Sequence, residues 1–419
     1  MYLGHYTDLH MIDAQTPARL DVMAGQSRTL WAGVSRPQET MQLQILTAMT
    51  NAMNAARESP VTGAPMSAAV NTGDSTDEHS QLELDWYIGV LDGGQFTPNS
   101  GKAGVYDGVQ VWPSTFAWHP EDPSQDDFGS FGFPKIPGLL DSAVSDTVTS
   151  PGLAVPWYSI FGNHDTLWIG TGTIGPNLRS YATGGRKADQ WQALVGTYAQ
   201  GLNLDASSLT RFTDQLWRQW NMDSHMRHVT PDGKRKLFEQ KGFIASHLNS
   251  PATPGPVGHG FTDDNLSSGR SYWQADLDSN FRLFGLDTCN QTAGADGAVP
   301  EDQFNWLKEG LVQAQTEKKI AIVLSHHNSA TLENKAQPAV GGQKLFHAEE
   351  FVAMLLEFPN MVAWINGHTH INRIRAHPDG LGSGFWEITS ASCVDFPQQQ
   401  QLIEFVDNRD KTMSIFTTT

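Results

Sequence analysis

Hydrophobic and polar positions divide the chain into stretches of two periodicities. The residues Gln38–Ala56 place Met, Leu and Ile side chains at mixed three- and four-residue spacings, which is typical of an amphipathic helix. Three further stretches are interpreted as helices: Glu78–Leu91, Glu301–Gln315 and His347–Phe358. Short apolar runs of strand length lie between these helices and after the last of them.

The apolar runs are mostly followed directly by a polar turn. They are residues 2–7, "SAAVNTGD", "VPWYSIFGNHD", "SYWQADLD", "FRLFGLDT", Ile320–Leu324, Met361–Ile365, "GFWEITS", "QLIEFVD" and "TMSIFTT". Strands that alternate with helices, followed by several late strands, predict the α/β class with two sheets packed face to face.

Two long segments interrupt this alternation. Residues from about 93 to 152 are rich in Gly, Pro, Ser and Asp, and we expect a loop insertion there, in which tryptophans such as Trp112 and Trp118 pack the loop. Residues from about 170 to 256 form a second insertion, with helices expected around Lys187–Ala199 and Ser207–Trp220. The whole chain, 1–419, is predicted to be one domain that carries these two insertions.

The overall charge excludes one class of partner. The formal net charge of −18 argues against binding to a nucleic-acid polymer, because phosphate backbones need Lys and Arg. A small phosphate ester is still a suitable substrate, since bound cations would invert the local charge. No run approaches the roughly 18 apolar residues of a membrane span. The oligomeric state is left open by the sequence.

The start of the chain and its cysteines bear on the compartment. A strand begins almost at once, so the protein is expected to be cytoplasmic, or exported with its leader removed. The two cysteines, Cys289 and Cys393, are too few for a disulfide framework or a Cys-rich zinc site. The sequence does not decide whether they pair.

Five of the polar turns that follow the apolar runs share one property, which is that each carries residues able to bind a metal ion. They are "TDLH" with Asp8 and His10, "GDSTD" with Asp74, "GNHD" with Asn163 and His164, "SHH" with His326, and "GHTH" with His368 and His370. The carboxyl ends of strands meet at one edge of an α/β sheet, so we expect these side chains to converge. Imidazole and carboxylate without thiolate favour zinc, iron or manganese.

The number of these groups suits two ions, with Asp74 between them. Asp8 and His10 are two residues apart, as are His368 and His370, and in an extended segment that spacing places both side chains on one face. Each motif alone has an ordinary explanation, such as a helix cap for Asp8 or a turn for "GDSTD". Their joint occurrence in order, each after an apolar run, predicts a dinuclear metal site.

This ordered set of motifs resembles the calcineurin-like metallophosphoesterases. The set is most similar to the bacterial branch that includes class III cyclic-nucleotide and glycerophosphodiester phosphodiesterases, and it also resembles a small actinobacterial exported subgroup. The matching blocks run from Asp8 to His370, while the two insertions have no counterpart in compact members of the family. The resemblance implies a four-layered α/β/β/α sandwich of two mixed sheets flanked by helices.

The resemblance also implies a role for each residue of the motifs. The ligands of the first ion would be Asp8, His10 and His370, those of the second Asn163, His326 and His368, and Asp74 would bridge both. His164 would contact the phosphoryl oxygens or protonate the leaving group, and Asp165 would orient it. Asn328 departs from the proline of many members, which leaves His327 as the alternative to His326.

The residues around these motifs receive weaker interpretations. His327 would contact substrate or support a ligand, and Asn372 and Arg373 follow "GHTH" closely enough to touch phosphate. Asp77 is expected to support a ligand or a turn rather than to bind metal, and His5 and His79 are interpreted as structural.

The chemistry expected from such a site is hydrolysis of a phosphate mono- or diester. A hydroxide that bridges two cations is a nucleophile at neutral pH, and the cations stabilise the attacking and leaving oxygens. Phosphoryl transfer then requires no Ser or Cys nucleophile. The alternative is a catalytically inactive protein of the same fold that binds partners. A metallo-β-lactamase-type hydrolase is a third class, but its H-x-H-x-D-H cluster is absent from the sequence.

Overall fold

The computed structural model of the chain describes residues 1–25, 33–172, 174–189, 226–290, 294–336 and 342–419. Its α-helices are α1 (Gln42–Ala55), α2 (Gln81–Asp92), α3 (Leu139–Ser145), α4 (Pro176–Ala182), α5 (Gln240–Leu248), α6 (Asp263–Ser268), α7 (Glu301–Thr316) and α8 (Ala348–Leu355). The four helices predicted from periodicity correspond to α1, α2, α7 and α8.

The strands fall into two large sheets and three short ladders. They are β1 (Tyr2–Tyr6), β2 (Ala68–Asn71), β3 (Gly94–Phe96), β4 (Val148–Ser150), β5 (Trp157–Ser159), β6 (Arg186–Ala188), β7 (Met226–His228), β8 (Trp273–Asp276), β9 (Phe281–Gly285), β10 (Val299–Pro300), β11 (Ile320–Leu324), β12 (Leu345–Phe346), β13 (Met361–Asn366), β14 (Arg373–Pro378), β15 (Gly384–Thr389), β16 (Gln401–Asp407) and β17 (Met413–Thr418).

Both large sheets are mixed, with parallel strands at their centre. The first has the order β17-β16-β1-β2-β5, and the second has the order β14-β15-β13-β11-β9-β8. In the first sheet β1 pairs in parallel with β2, and β2 with β5. In the second sheet β15, β13, β11 and β9 pair in parallel with one another, and the edge strands β14 and β8 are antiparallel to them. The predicted α/β fold with two mixed sheets is confirmed.

Side chains alternate between the two faces of each strand, and this alternation shows how the sheets are layered. In β1, Tyr2 and Tyr6 point to α1, where their hydroxyl groups donate to the carbonyl oxygens of Ala56 and Met49. Leu3, between them, lies in the same buried cluster as Leu324 of the second sheet. Successive side chains of a strand point to opposite faces, so one face packs on helices and the other on the facing sheet.

The second sheet shows the same division. Ile322 and Leu324 belong to the cluster shared with the first sheet, whereas Val323 between them packs in a separate cluster with α7 and α8, as does Trp364 of β13. Helices therefore cover the outer face of each sheet, and the four-layered α/β/β/α order is the one expected.

The two insertions contribute to a third buried cluster. It combines Val109 and Trp112 of the first insertion with Tyr181 and Val229 of the second, and with residues such as Leu20 that follow the first metal-binding motif. The burial of Trp112 agrees with its interpretation as loop packing. The division of the chain into one domain with two insertions stays a prediction.

One helix prediction in the second insertion is wrong where the structure describes it. Lys187 and Ala188 lie in β6, which pairs with β7, and the buried ammonium group of Lys187 donates to Asp21. Tertiary contacts here override the local helix propensity. The rest of the helix expected up to Ala199, and the one at Ser207–Trp220, lie outside the described residues. No helix in the described ranges is long and apolar enough to span a bilayer.

Candidate metal centre

The predicted ligands lie where parallel strands end. Asp8 and His10 follow β1, Asp74 follows β2, and Asn163 lies just beyond β5. His326 follows β11 of the second sheet, and His368 and His370 follow β13. The carboxyl ends of the strands from both sheets therefore bring these side chains to one edge of the sandwich.

Two glycines of the motifs allow the turns to approach closely. A Cβ at Gly162 would lie 2.1 Å from the backbone nitrogen of Asp74, and a Cβ at Gly367 would lie 1.9 Å from Thr7 Oγ1. Any side chain at these positions would therefore overlap an adjacent turn. The Gly in "GNHD" and in "GHTH" is thus a packing requirement of the site.

The backbone of the ligand turns is left-handed at alternate residues. The φ values are 53° at Asp8, 42° at His10, 52° at Asp74, 69° at His368 and 56° at His370. The expectation that the two-residue spacing acts through an extended segment is therefore wrong. Positive φ in residues other than glycine costs free energy and persists where the surrounding structure enforces it, which is frequent at functional sites.

The first cluster of potential ligands is formed by Asp8, His10 and His370. His370 Nε2 lies 3.1 Å from Asp8 Oδ1, and His10 Nε2 lies 3.9 Å from the same oxygen and 3.5 Å from Asp74 Oδ2. His10 Nε2 is buried and has no hydrogen-bond partner among the described residues. A buried imidazole nitrogen without a partner, aimed at two carboxylates, fits a metal ligand.

The second cluster is formed by Asn163, His326 and His368. Asn163 Oδ1 lies 2.8 Å from His326 Nε2 and 2.9 Å from His368 Nδ1, and the two imidazole nitrogens are 3.2 Å apart. Asp74 Oδ2 lies 3.3 Å from His326 Nε2, so one carboxylate oxygen stands close to both clusters. This donor set, oxygen and imidazole nitrogen directed at common points, fits two cations that share Asp74.

The charges of the site are balanced within the protein. Burial raises the pKa of Asp8 and Asp74, but adjacent histidines, chiefly His370 for Asp8 and His326 for Asp74, hold both values below the usual range. Burial lowers the pKa of His326 and His370, but Asp74 raises the pKa of His326 to about 9 and Asp8 raises that of His370 to about 10. Asp8 and Asp74 thus attract positive charge into the site, which a bound cation would also supply.

Carboxylates stand behind the two histidines of the first cluster. Asp77 Oδ1 lies 3.1 Å from His10 Nδ1, which agrees with the prediction that Asp77 supports a ligand. Asp395 Oδ2 is hydrogen-bonded to His370 Nδ1. Asp395 was not predicted from the sequence, although it follows β15 and so carries the signal of a polar residue beyond a strand end that identified the other motifs.

His164 adjoins the first cluster but makes a different contact. Its ring lies 4.3 Å from that of His10, and its Nδ1 is 3.2 Å from the carbonyl oxygen of Asp77. A carbonyl only accepts, so Nδ1 carries the proton and Nε2 of the neutral ring is free to accept. Burial, together with His10, lowers the pKa of His164 to about 3.

The carboxylate of Asp165 contacts two of the ligand turns, and its predicted orientation of His164 stays a prediction. Its carboxylate accepts hydrogen bonds from the backbone N–H groups of Ser75, Thr76 and Gly162, at 3.2, 2.9 and 2.9 Å. It therefore joins the turn after β2 to the turn after β5, which sets the position of Asp74 relative to Asn163.

His327 is occupied by the protein itself. Its Nδ1 lies 2.8 Å from Thr288 Oγ1 and its Nε2 lies 2.7 Å from the carbonyl oxygen of Ala295. Because both ring nitrogens have partners, the arrangement favours a supporting role over a substrate contact. His326, whose Nε2 faces the site, is the better ligand of the pair.

The remaining predicted substrate contacts lie in the turn after His370. Asn372 donates to Gln399 and accepts from the backbone N–H of Ala391, so its amide holds two loops together. Arg373 is exposed at the start of β14. Their contact with substrate stays a prediction. The histidines interpreted as structural are buried, and His5 is hydrogen-bonded to Thr72 and Ser390.

Both cysteines are free thiols, Cys289 half-buried and Cys393 buried. The question of their pairing, which the sequence left open, is thereby answered for this structure.

No protein-family model matches the chain, and no curated protein sequence matches it. Among solved structures, a dimetal phosphatase from Danio rerio is similar at 11% identity and a TM-score of 0.46, over 100% of this chain and 95% of that one. The sulfate thiohydrolase SoxB of Thermus thermophilus, in complex with glycerol, is similar at 11% identity and a TM-score of 0.33, over 99% of this chain and 56% of that one.

Proposed function

We propose that the protein is a metal-dependent hydrolase of phosphate esters that works with two divalent or trivalent cations. The observation that carries the proposal is the pair of ligand clusters on either side of Asp74. Its Oδ2 lies 3.5 Å from a partnerless His10 nitrogen in one cluster and 3.3 Å from His326 in the other. Two cations at such a site neutralise phosphoryl oxygens and generate a nucleophile from water at neutral pH.

The ligand assignment follows the two clusters. One cation would be held by Asp8, His10 and His370, the other by Asn163, His326 and His368, with Asp74 shared. Oxygen and imidazole donors without thiolate accept iron, manganese or zinc, so the donor set leaves several ions possible.

His164 is proposed to act on the substrate rather than on a cation. Its Nδ1 is hydrogen-bonded to the carbonyl oxygen of Asp77, which fixes the ring and leaves Nε2 for the substrate. Once Nε2 is also protonated, a change that the negative charge of a bound phosphate ester favours, it would donate to the phosphoryl oxygens or to the leaving-group oxygen. A ring fixed in advance lowers the cost of that contact. Asp165 contributes indirectly because it holds the turns that carry Asp74 and Asn163.

A protein of this fold that only binds partners is the competing function. The two functions differ in turnover, so we would measure metal content per chain together with hydrolysis of bis-p-nitrophenyl phosphate and p-nitrophenyl phosphate. His164→Ala should remove most of the hydrolysis and leave the metal content unchanged. His119→Ala is a matched control, because His119 is similarly buried and bonds within the first insertion. Two bound metals without turnover on either ester would favour the binding protein.

A further inference from the structure

The two histidines of the first cluster are supported by carboxylates that come from distant parts of the chain. Asp77 lies in the turn after β2 and contacts His10, whereas Asp395 follows β15 and contacts His370. When the second ring nitrogen of a ligand histidine donates its N–H to a carboxylate, the tautomer and the orientation of the ring are fixed. Asp77 and Asp395 are far apart in the sequence, so no local segment of the chain connects these two supports.

A single guanidinium group connects them in space. Arg36 Nη1 lies 3.4 Å from Asp77 Oδ1, and Arg36 Nε lies 3.2 Å from Asp395 Oδ1. The side chain of Arg36 is 4% exposed, and its backbone N–H donates to Glu39. We propose that Arg36 is a positioning residue for the first cation, because it joins the two carboxylates that orient His10 and His370. This inference rests on the proposed metal-dependent function.

The charge of the group explains why an arginine stands there. Asp77 and Asp395 are two carboxylates directed at one small cluster, and a cation between them offsets their repulsion. A guanidinium presents donors in a planar fork, so it binds both carboxylates at once, which the single ammonium group of lysine does less well. Arg19 Nε already binds the other oxygen of Asp77 at 2.9 Å. Arg36 is therefore the group that ties Asp395 to this network.

The second cluster is supported in another way. His326 Nδ1 lies 2.9 Å from the carbonyl oxygen of Thr72, so the strand end orients that ring. His368 is held through its backbone N–H, which donates to Asp8 Oδ2 at 3.0 Å. Loss of the Arg36 guanidinium should therefore weaken the binding of one cation and leave the binding of the other nearly unchanged.

The experiment is a calorimetric titration of metal-stripped protein with Mn²⁺ or Zn²⁺, with Arg36→Gln compared with the unaltered chain. We expect the affinity for one of the two ions to fall by about 10- to 100-fold, the range typical when the support of a ligand is lost. Asp395→Asn should reduce the affinity in the same binding step. The affinity of the double variant should be little lower than that of either single variant, because both substitutions break the same Arg36–Asp395 contact.

Arg282→Gln is the matched control. Arg282 is also buried between two carboxylates, Asp276 at 2.7 Å and Glu317 at 2.8 Å, but it lies on β9 away from the ligand turns. It should leave both binding steps unchanged. Denaturant unfolding of each metal-stripped variant separates a loss of fold from a loss of metal affinity.

Two results would overturn the inference. One is a folded Arg36→Gln protein with both affinities unchanged, and the other is an equal loss in both steps together with lower stability of the metal-stripped fold. If Arg36→Gln does not fold, Arg36→Lys keeps the charge, and normal binding by that variant would also refute the proposal. Failure of the unaltered chain to bind two ions would instead refute the proposed function.

Discussion

His10 Nε2 and Asp74 Oδ2 face each other at 3.5 Å in a buried site, and no hydrogen bond satisfies the imidazole nitrogen among the described residues. A buried polar atom left without a partner costs about 1–3 kcal/mol. A cation between these two atoms would remove that cost, so the arrangement is better suited to the metal-bound state than to the protein alone.

Asp74→Asn should reduce the affinity for both cations, since Asp74 stands near both clusters, and should lower hydrolysis by about 100-fold or more. Metal content and initial rates would be measured on the same preparations. Asp92→Asn is the control, because Asp92 is a buried carboxylate that binds a histidine, His259, outside either cluster. A variant that keeps two ions and full activity would contradict the shared role of Asp74.

Removal of the cations should lower the stability of the fold. Ligands that bind only the native state stabilise it by mass action, by about 2.7 kcal/mol for each site at 100 times its Kd. Thermal unfolding with and without a chelator, followed by restoration with Mn²⁺, measures this effect. If the chelator and the added metal leave the unfolding temperature unchanged, the two clusters do not bind cations in the native protein.

Gly367→Ala should damage the site without altering any ligand. Its Cβ would lie 1.9 Å from Thr7 Oγ1 and 2.5 Å from Asp8 Oδ2, so the turns after β13 and β1 must separate. Overpacking of this kind costs about 1–3 kcal/mol. Gly233→Ala is the control, since a Cβ there meets nothing within 4 Å. Denaturant unfolding and metal titration should show lower stability and lower metal affinity for Gly367→Ala, and no change for Gly233→Ala.

A buried histidine pair outside the metal centre should make the protein less stable in acid. His247 Nδ1 lies 2.9 Å from His259 Nδ1, and burial lowers the pKa of both below the usual 6.5. Because the native pKa values are lowered, the unfolded chain binds more protons as the pH falls below about 6.5. Stability is therefore present above that pH and decreases below it, by up to about 1.4 kcal/mol per pH unit for each proton.

The test is His247→Phe, which suits a ring surrounded by Phe243, Phe261 and Trp157. Unfolding free energies of metal-stripped protein at pH 7.5 and 5.5 should differ less in this variant than in the unaltered chain. His228→Asn, at an exposed histidine of β7, should not change the difference. An equal loss of stability in all three proteins would show that the pair does not contribute.

The sequence predicted the fold and the neighbourhood of the site because both depend on local patterns. Apolar runs that end in polar turns located the strand ends, and parallel strands brought those ends together. The left-handed backbone at Asp8 and His370 was not predicted, because aspartate and histidine adopt it only where surrounding contacts enforce it. The paired residues therefore lie next to each other as predicted, but in a left-handed and not an extended backbone.

The supports of the ligands were harder to predict than the ligands. Arg36 contacts Asp395, 359 positions further along the chain, so its partner is set by tertiary packing and by no local pattern. The cluster shared by the insertions was also missed, since Gly- and Pro-rich segments show no periodicity even when residues such as Trp112 are buried. Patterns along a chain report strands and helices, while contacts between irregular segments remain hidden.

Buried ion pairs join the second insertion to the metal centre, and they offer a way to detect whether a cation is bound. Lys187 of the second insertion binds Asp21, Asp21 lies 3.6 Å from Arg19, and Arg19 binds Asp77 behind His10. Local opening of the insertions would break this chain of buried charges and free the first cation's ligands. Cation binding should therefore slow protease cleavage within the insertions, so that a cleavage pattern reports occupancy of the metal centre.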